Sequence, residues 1–264
     1  VRSRRQRQMC IRDSSTSALA TGLAATIVVT NNNWYDFTPT TAIIFAAITA
    51  GAGLLPDLDH PQATIARTWG PLSRLLAQIT NSISAATVNL TAGPHDKHCS
   101  NGHRKLTHTA LFALLIAPAI TYFAVALGGF WAQMGLTYFF VSLALQGLFK
   151  NRMRDLGPII SNVLAAVITF GLGQLAPETL SPQMLAAATA LGCVAHITGD
   201  APTHSGVPFF APLFRLGGKA WNDVHLLPKG MTVSASGWAN TALLWISTAA
   251  SVVMLGMIVS GYVF

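Results

Sequence analysis

The chain has 264 residues, 52% of them hydrophobic and only 9% charged, with a formal net charge of +7. A soluble domain carries about 25% charged residues, so this composition excludes an ordinary soluble fold and points to a membrane protein. Nucleic-acid binding is excluded because the basic residues sit in short loops between apolar runs, with no basic helix, and Cys10, Cys99 and Cys193 form no CxxC pair from which a disulfide framework or thiolate zinc cluster could be built.

Residues 1–14, VRSRRQRQMCIRDS, are basic, polar and without an apolar core, so they do not read as a signal peptide. They resemble translated sequencing-adapter read-through and are set apart from 15–264, which reads as a single helical membrane domain. Seven apolar stretches follow, at roughly 17–30, 40–56, 109–128, 134–149, 157–175, 183–199 and 239–263. Crossing a bilayer takes about 20 apolar residues. The third, fifth and seventh stretches meet that comfortably and the others are shorter. The expected fold is all-α, a polytopic bundle of five to seven membrane helices. Between the second and third stretches, the segment 62–92 around TWGPLSRLLAQIT reads as an amphipathic surface helix. Trp69, Leu72, Leu75, Leu76 and Ile79 would meet lipid headgroups while Arg67 and Arg74 face anionic lipid. The run PHDKHCSNGH (94–103) reads as a loop of turn residues rather than as a further metal cluster.

Charge gives the orientation. If all seven stretches cross, every Lys and Arg outside 1–14, from Arg67 to Lys229, falls on the side that carries 57–108. The opposite loops, NNNWYDFTP, GGFWAQ and APETLSP, contain none. By the positive-inside rule the basic side is cytoplasmic. All eight histidines lie on that side or at its membrane boundary, with most of the acidic residues. Imidazole with carboxylate is a ligand set for zinc or a similar divalent ion.

Three local patterns supply that chemistry. PDLDH (56–60) follows the second stretch and displays Asp57, Asp59 and His60 on a turn; an acidic helix stop is the alternative reading for it alone. GHRKLTH (102–108) sets His103 and His108 five residues apart, at the start of the third stretch. HITGD (196–200) sets His196 and Asp200 at i and i+4, on one helix face, although such a pair by itself is more often a polar cap.

Taken in order, GLLPDLDHP, GHRKLTH and HITGDAPTHSGVPFFAPL (196–213) resemble the three motifs of the LexA-regulated, membrane-bound metal-dependent hydrolases, a bacterial and archaeal inner-membrane family. The resemblance covers roughly 40–215. It implies metal-site roles for Asp57, Asp59, His60, His103, His108, His196 and Asp200, with Thr107 and Arg104 as supporting or substrate-contacting groups. The family has been likened to zinc-dependent phospholipases C, which favours a phosphoester substrate. The chain departs from the family pattern in having no histidine before His60, and in carrying His204 and Thr109 within the motifs.

The expected function is metal-assisted hydrolysis at the cytoplasmic membrane face, with one or two divalent ions, zinc first among them. A metal lowers the pKa of bound water towards about 7, and Asp57 or Asp59 would take the proton as general base. Arg104 and Lys105 would hold an anionic, lipid-linked or other phosphoester substrate. The rival reading is a metal-binding membrane transporter or sensor without hydrolysis. Such a protein places ionisable groups along a mid-membrane path, and these apolar stretches contain almost none.

Overall fold

A computed structural model describes residues 4–60, 63, 65–228, 232 and 238–262. It is all-helical, and among the described residues β-structure is limited to two isolated bridges. Among the described residues seven α-helices follow in order: α1 (Arg4–Asn31), α2 (Pro39–Ala52), α3 (Pro71–Thr91), α4 (Ala117–Leu148), α5 (Lys150–Leu175), α6 (Pro182–Asp200) and α7 (Trp238–Val259). The backbone of α1 reaches back to Arg4, into the basic segment that composition sets apart. Pro61, Lys229 and the side chain of Arg67 lie outside the described residues.

The second stretch is the centre of the bundle. Thr38 caps α2 by accepting from the Thr41 backbone N–H, with Pro39 in the first turn, where its missing donor costs nothing. The helix is apolar on every side, as a helix surrounded by protein must be, and nearly all of it from Thr41 to Ala52 is buried. Helices α1, α4 and α6 pack around it. Contact between them depends on small residues, the usual device where lipid supplies no hydrophobic drive between helices. A Cβ on Gly192 of α6 would lie 2.6 Å from the Thr49 carbonyl oxygen and 2.7 Å from Ala52 Cβ, so only glycine permits this approach. One turn later α6 carries His196.

Among the described residues, four segments are long and apolar enough to cross a membrane: Pro39–Asp59, Phe112–Leu148, Lys150–Leu175 and Thr241–Val259. The second is a helical hairpin. Ala113 packs with Cys193 and Ile197, while Leu143 packs with Leu54, and Leu55 touches both groups. A straight helix over 112–148 would run about 55 Å at 1.5 Å per residue, so both ends can meet Leu54 and Leu55 only if the chain reverses. Gly129, at φ 60 and ψ −149, makes the reversal without a loop. The expected third and fourth stretches are therefore its two arms. The outer faces expose Phe123, Leu127, Ile159, Phe170, Trp245 and Val252, an apolar perimeter of the kind lipid covers.

The surface helix is shorter than the expected 62–92, because Gly70 (φ 62) and Pro71 start it afresh after a 3-10 turn at Ile65–Arg67. Leu72, Leu75, Leu76 and Ile79 are exposed along one face, as expected. Trp69 is not on that face. It stacks on Phe139 at 5.0 Å and packs beside Ile65 and Leu143, so it anchors the segment to the bundle rather than to headgroups.

The loop PHDKHC is ordered by one carboxylate. Asp96 accepts from the backbone N–H groups of Gly93 (2.8 Å), Ala220 (2.8 Å) and Trp221 (3.4 Å), tying 93–96 to 218–221. Desolvation pushes its pKa up, but these donors and the Lys219 charge outweigh it and hold the carboxyl below its ordinary value. A depressed folded-state pKa contributes stability that is present above the unfolded value and lost as pH falls through the folded one. Asp96→Asn is therefore expected to melt below wild type at neutral pH, with the gap closing below about pH 4. Thermal melts across pH 3–7 check this, and a gap independent of pH would refute it.

Candidate metal centre

The three motifs converge at one end of the bundle. PDLD forms a 3-10 turn (Pro56–Asp59) directly after α2. LTH forms another (Leu106–His108) just ahead of the hairpin. HITGD is the last turn of α6, whose C-terminal residue is Asp200. Ligand atoms of Asp57, His108 and His196 all lie within 4.8 Å of one another and form a group able to hold a metal ion.

Hydrogen bonding decides what each imidazole presents. His196 Nδ1 lies 2.8 Å from the Gly53 carbonyl oxygen, which can only accept, so Nδ1 carries the proton. Thr107 donates its hydroxyl proton to Asp59 Oδ2 at 2.6 Å and so accepts from His108 Nδ1 at 3.0 Å. In both rings the Nε2 lone pair is left over. Both Nε2 atoms are buried without a hydrogen-bond partner in the protein. A buried orphan polar atom is costly, and two facing one another, with ring centroids 5.2 Å apart, are the arrangement a shared cation would satisfy.

His196 Nε2 lies 3.7 Å from Asp57 Oδ1 and 3.8 Å from Asp200 Oδ2, and His108 Nε2 lies 3.6 Å from the same Asp200 oxygen. Ligands of a tetrahedral ion with bonds of 2.0–2.1 Å stand roughly 3.4 Å apart; the His196–Asp57 separation of 3.7 Å is close to that, and the third donor atom, on His108, lies within 4.8 Å of both. Burial holds the His108 pKa well below its ordinary value, aided by the nearby His196, Arg104, His103 and Lys105. A neutral imidazole is the form that binds metal.

The other candidate residues have different placements. Asp59 is fully buried and both its oxygens are taken: Oδ1 by His103 Nδ1 at 2.8 Å, Oδ2 by Thr107 and by the Arg104 backbone N–H at 3.0 Å. It lies behind His108 rather than beside the gap. His60 stands edge-on to His103, ring centroids 4.4 Å apart, and burial, then the His103 charge, lower its pKa against the opposing pull of Asp57 and Asp59. Arg104 pairs with Asp200 Oδ2 at 2.6 Å and reaches Thr203 Oγ1 at 3.3 Å. Lys105 stands 3.6 Å from Asp223. Both cations expected to meet substrate therefore have a carboxylate partner within the protein. Arg104 adopts φ 57, uncommon for a side-chain-bearing residue. That conformation is held by its two contacts, backbone to Asp59 and guanidinium to Asp200. His95, His204 and His225 are bonded to Gly217 O, Thr232 Oγ1 and His204 O and take no part in the cluster.

Two residues that sequence motifs do not mark hold the pieces together. Asn81 Nδ2 donates to the Asp59 carbonyl and to Asn101 Oδ1, both at 2.8 Å, joining the first motif to the loop before the second. Ser84 Oγ donates to the Gly102 carbonyl at 2.7 Å and accepts from the Leu106 N–H at 2.9 Å. Both lie on the face of α3 that carries buried Ala77 and Val88. Their only sequence signal is polar residues at helical spacing on the inner face of an amphipathic helix. At the other end of the cluster, Ser14 and Ala18 of α1 pack against Gly53, the residue that orients His196.

Over residues 15–263 the chain matches the family model described as YdjM inner membrane protein, and it belongs to that family. No curated protein and no solved structure matches it. Family and membrane-length helices together make it a membrane protein, in agreement with the inner-membrane placement that the motif resemblance implies.

Proposed function

We propose that this member of the YdjM family is a metal-dependent hydrolase whose centre faces the cytoplasm at the membrane surface and acts on a phosphoester, lipid-linked or otherwise. The observation that carries the reading is the pair of buried, unpartnered Nε2 atoms of His108 and His196 beside the Asp57 carboxylate. Two imidazoles and one carboxylate are a zinc-type donor set of the catalytic kind, with three protein ligands and a further position for water or substrate. A divalent ion held there would polarise a phosphoryl oxygen and lower the pKa of water.

The chain's own residues divide the remaining work. Asp57, His108 and His196 hold the ion, and the Gly53 carbonyl and Thr107 hydroxyl keep the two rings aimed. Asp200, within 3.8 Å of both Nε2 atoms and partly exposed, is placed to accept the proton of the attacking water. Arg104 orients that carboxylate and can turn a guanidinium N–H towards a phosphoryl oxygen as negative charge develops. Next to the centre, Phe209 packs on the Ala113–Ile197 cluster while Phe210, Leu213 and Phe214 are exposed, which favours a substrate with an apolar part. The basic residues on the loops flanking the motifs support an orientation towards the cytoplasm.

The test uses the full chain in detergent or nanodiscs. Elemental analysis is expected to give stoichiometric zinc. Hydrolysis of a panel of aryl and lipid phosphoesters is expected to stop on chelation and resume when zinc is restored. Stoichiometric metal without hydrolysis of any phosphoester would sink the enzyme reading in favour of a metal-binding transporter or sensor.

A further inference from the structure

Away from the metal cluster, a cavity of about 290 Å³ opens where α4, the N-terminal part of α5 and the linker before α3 meet. Thr68, Gln146, Lys150, Arg154 and Asn162 line it, and none of its lining residues is acidic. Its polar inventory is almost entirely donors. Thr68 donates its hydroxyl to Gln146 Oε1 at 3.1 Å, which leaves the amide NH2 as the other polar end of Gln146. Tyr138 donates to Asn162 Oδ1 at 3.0 Å, which leaves Asn162 the same way. Lys150 adds an ammonium, half-buried at the start of the helix, and among the described residues no carboxylate pairs with it. Arg154 adds a guanidinium whose partner, Asp155 at 3.6 Å, is an exposed neighbour outside the lining. Two cations and two amide NH2 groups around one space are an anion's ligand set.

The cavity is a built feature of α5. Gly157 (φ 80, ψ 168) and Pro158 break the helix there, and Ser161 Oγ, 2.9 and 2.8 Å from the Met153 and Gly157 carbonyls, shares its one proton between them across the break. Around it the surface is apolar and uncovered: Phe149, Leu156, Ile159 and Ile160 are all exposed, and a membrane-length segment begins at Lys150. A cationic pocket bordered by lipid-facing side chains at the end of a membrane helix is where a lipid phosphate enters with its acyl chains alongside.

We infer that this cavity is a binding site for the headgroup phosphate of an anionic phospholipid, with Lys150 and Arg154 as its cations and Gln146 and Asn162 as its neutral donors. The site shares no residue with the metal cluster, so its lipid is a bound structural or regulatory component distinct from a substrate.

The experiment measures binding and thermal stabilisation of the full chain with three probes: phosphatidylglycerol and phosphatidylcholine, each as short-chain micelles, and inorganic phosphate. Phosphatidylglycerol is expected to raise the wild-type midpoint, with phosphatidylcholine and inorganic phosphate having little effect. Lys150→Ala with Arg154→Ala is expected to weaken phosphatidylglycerol binding by roughly 30-fold, at about fivefold for each cation near the surface. Lys150→Arg should restore most of the single-site loss. Metal content of the double variant, read at the separate cluster, should stay at the wild-type value and so report an intact fold. Phosphatidylglycerol stabilisation that persists in the double variant overturns the site. An equal shift with inorganic phosphate overturns the lipid assignment and makes it a soluble-anion site.

Discussion

His196→Ala is expected to strip the centre of its metal and abolish hydrolysis while leaving the helical bundle assembled. Even changing a group that merely orients a ligand lowers metal affinity about 10–100-fold, and this substitution removes one of the three proposed ligands outright. The imidazole is almost completely buried, and its Nδ1–H is the donor to the Gly53 carbonyl. Its loss also leaves that carbonyl without the side-chain donor and costs about 1–3 kcal/mol of stability. The two effects separate by measurement. Elemental analysis reads the metal, and circular dichroism with a thermal melt reads the fold. Wild-type zinc content in the variant would remove His196 from the centre and end the proposed assignment. Loss of metal together with loss of the folded spectrum would call for His196→Gln, which keeps a donor for Gly53 without supplying the imidazole.

The second large effect concerns a residue that touches no ion. Asp59 accepts from His103, from the Arg104 backbone and from Thr107, and through Thr107 it sets the tautomer of His108. In Asp59→Asn an NH2 replaces one acceptor oxygen and meets a donor that it cannot satisfy. Metal affinity is expected to fall about 10–100-fold, the usual consequence of changing a group that orients a ligand. Asp59→Ala removes every acceptor and leaves buried donors unpaired, with an expected stability loss of about 3 kcal/mol or more. Thr107→Val should reproduce the affinity loss of Asp59→Asn, since it breaks the same relay. Zinc titration of the three variants checks the order, and wild-type affinity in Asp59→Asn would mean that the relay does not control His108.

Much of this protein is legible one segment at a time. The shortage of charge and the apolar runs identify a helical membrane protein, because each run must satisfy its backbone within itself in lipid. Proline and glycine mark the starts of α2, α3 and α6 and the breaks at Gly129 and Gly157. The motifs PDLDH, GHRKLTH and HITGD contain Asp57, His108 and His196 together with the Asp59, His103, Arg104, Thr107 and Asp200 side chains around them. Even the inner face of α3 is visible as spacing, although nothing in the spacing tells what Asn81 and Ser84 hold.

What sequence cannot assign is the division of labour among like residues. Asp57 and Asp59 are equivalent in a string of letters. On a 3-10 turn, with three residues per turn, positions two apart point roughly 120° away from each other. One carboxylate therefore faces His196, and the other turns back into donors supplied by residues 44 to 48 positions along the chain. Arg104 looks available for substrate until α6 brings Asp200 to within 2.6 Å of it. The apolar runs on either side of GGFWAQ read as two spans with a reversal between them, and the partners of Ala113 and Leu143 bear that out; only the structure shows that Gly129 makes the reversal without a loop. Composition and periodicity are local and determine which helices form and which residues are chemically capable. The role each capable residue takes depends on which donors and charges lie within about 4 Å of it, and long-range packing alone brings those together.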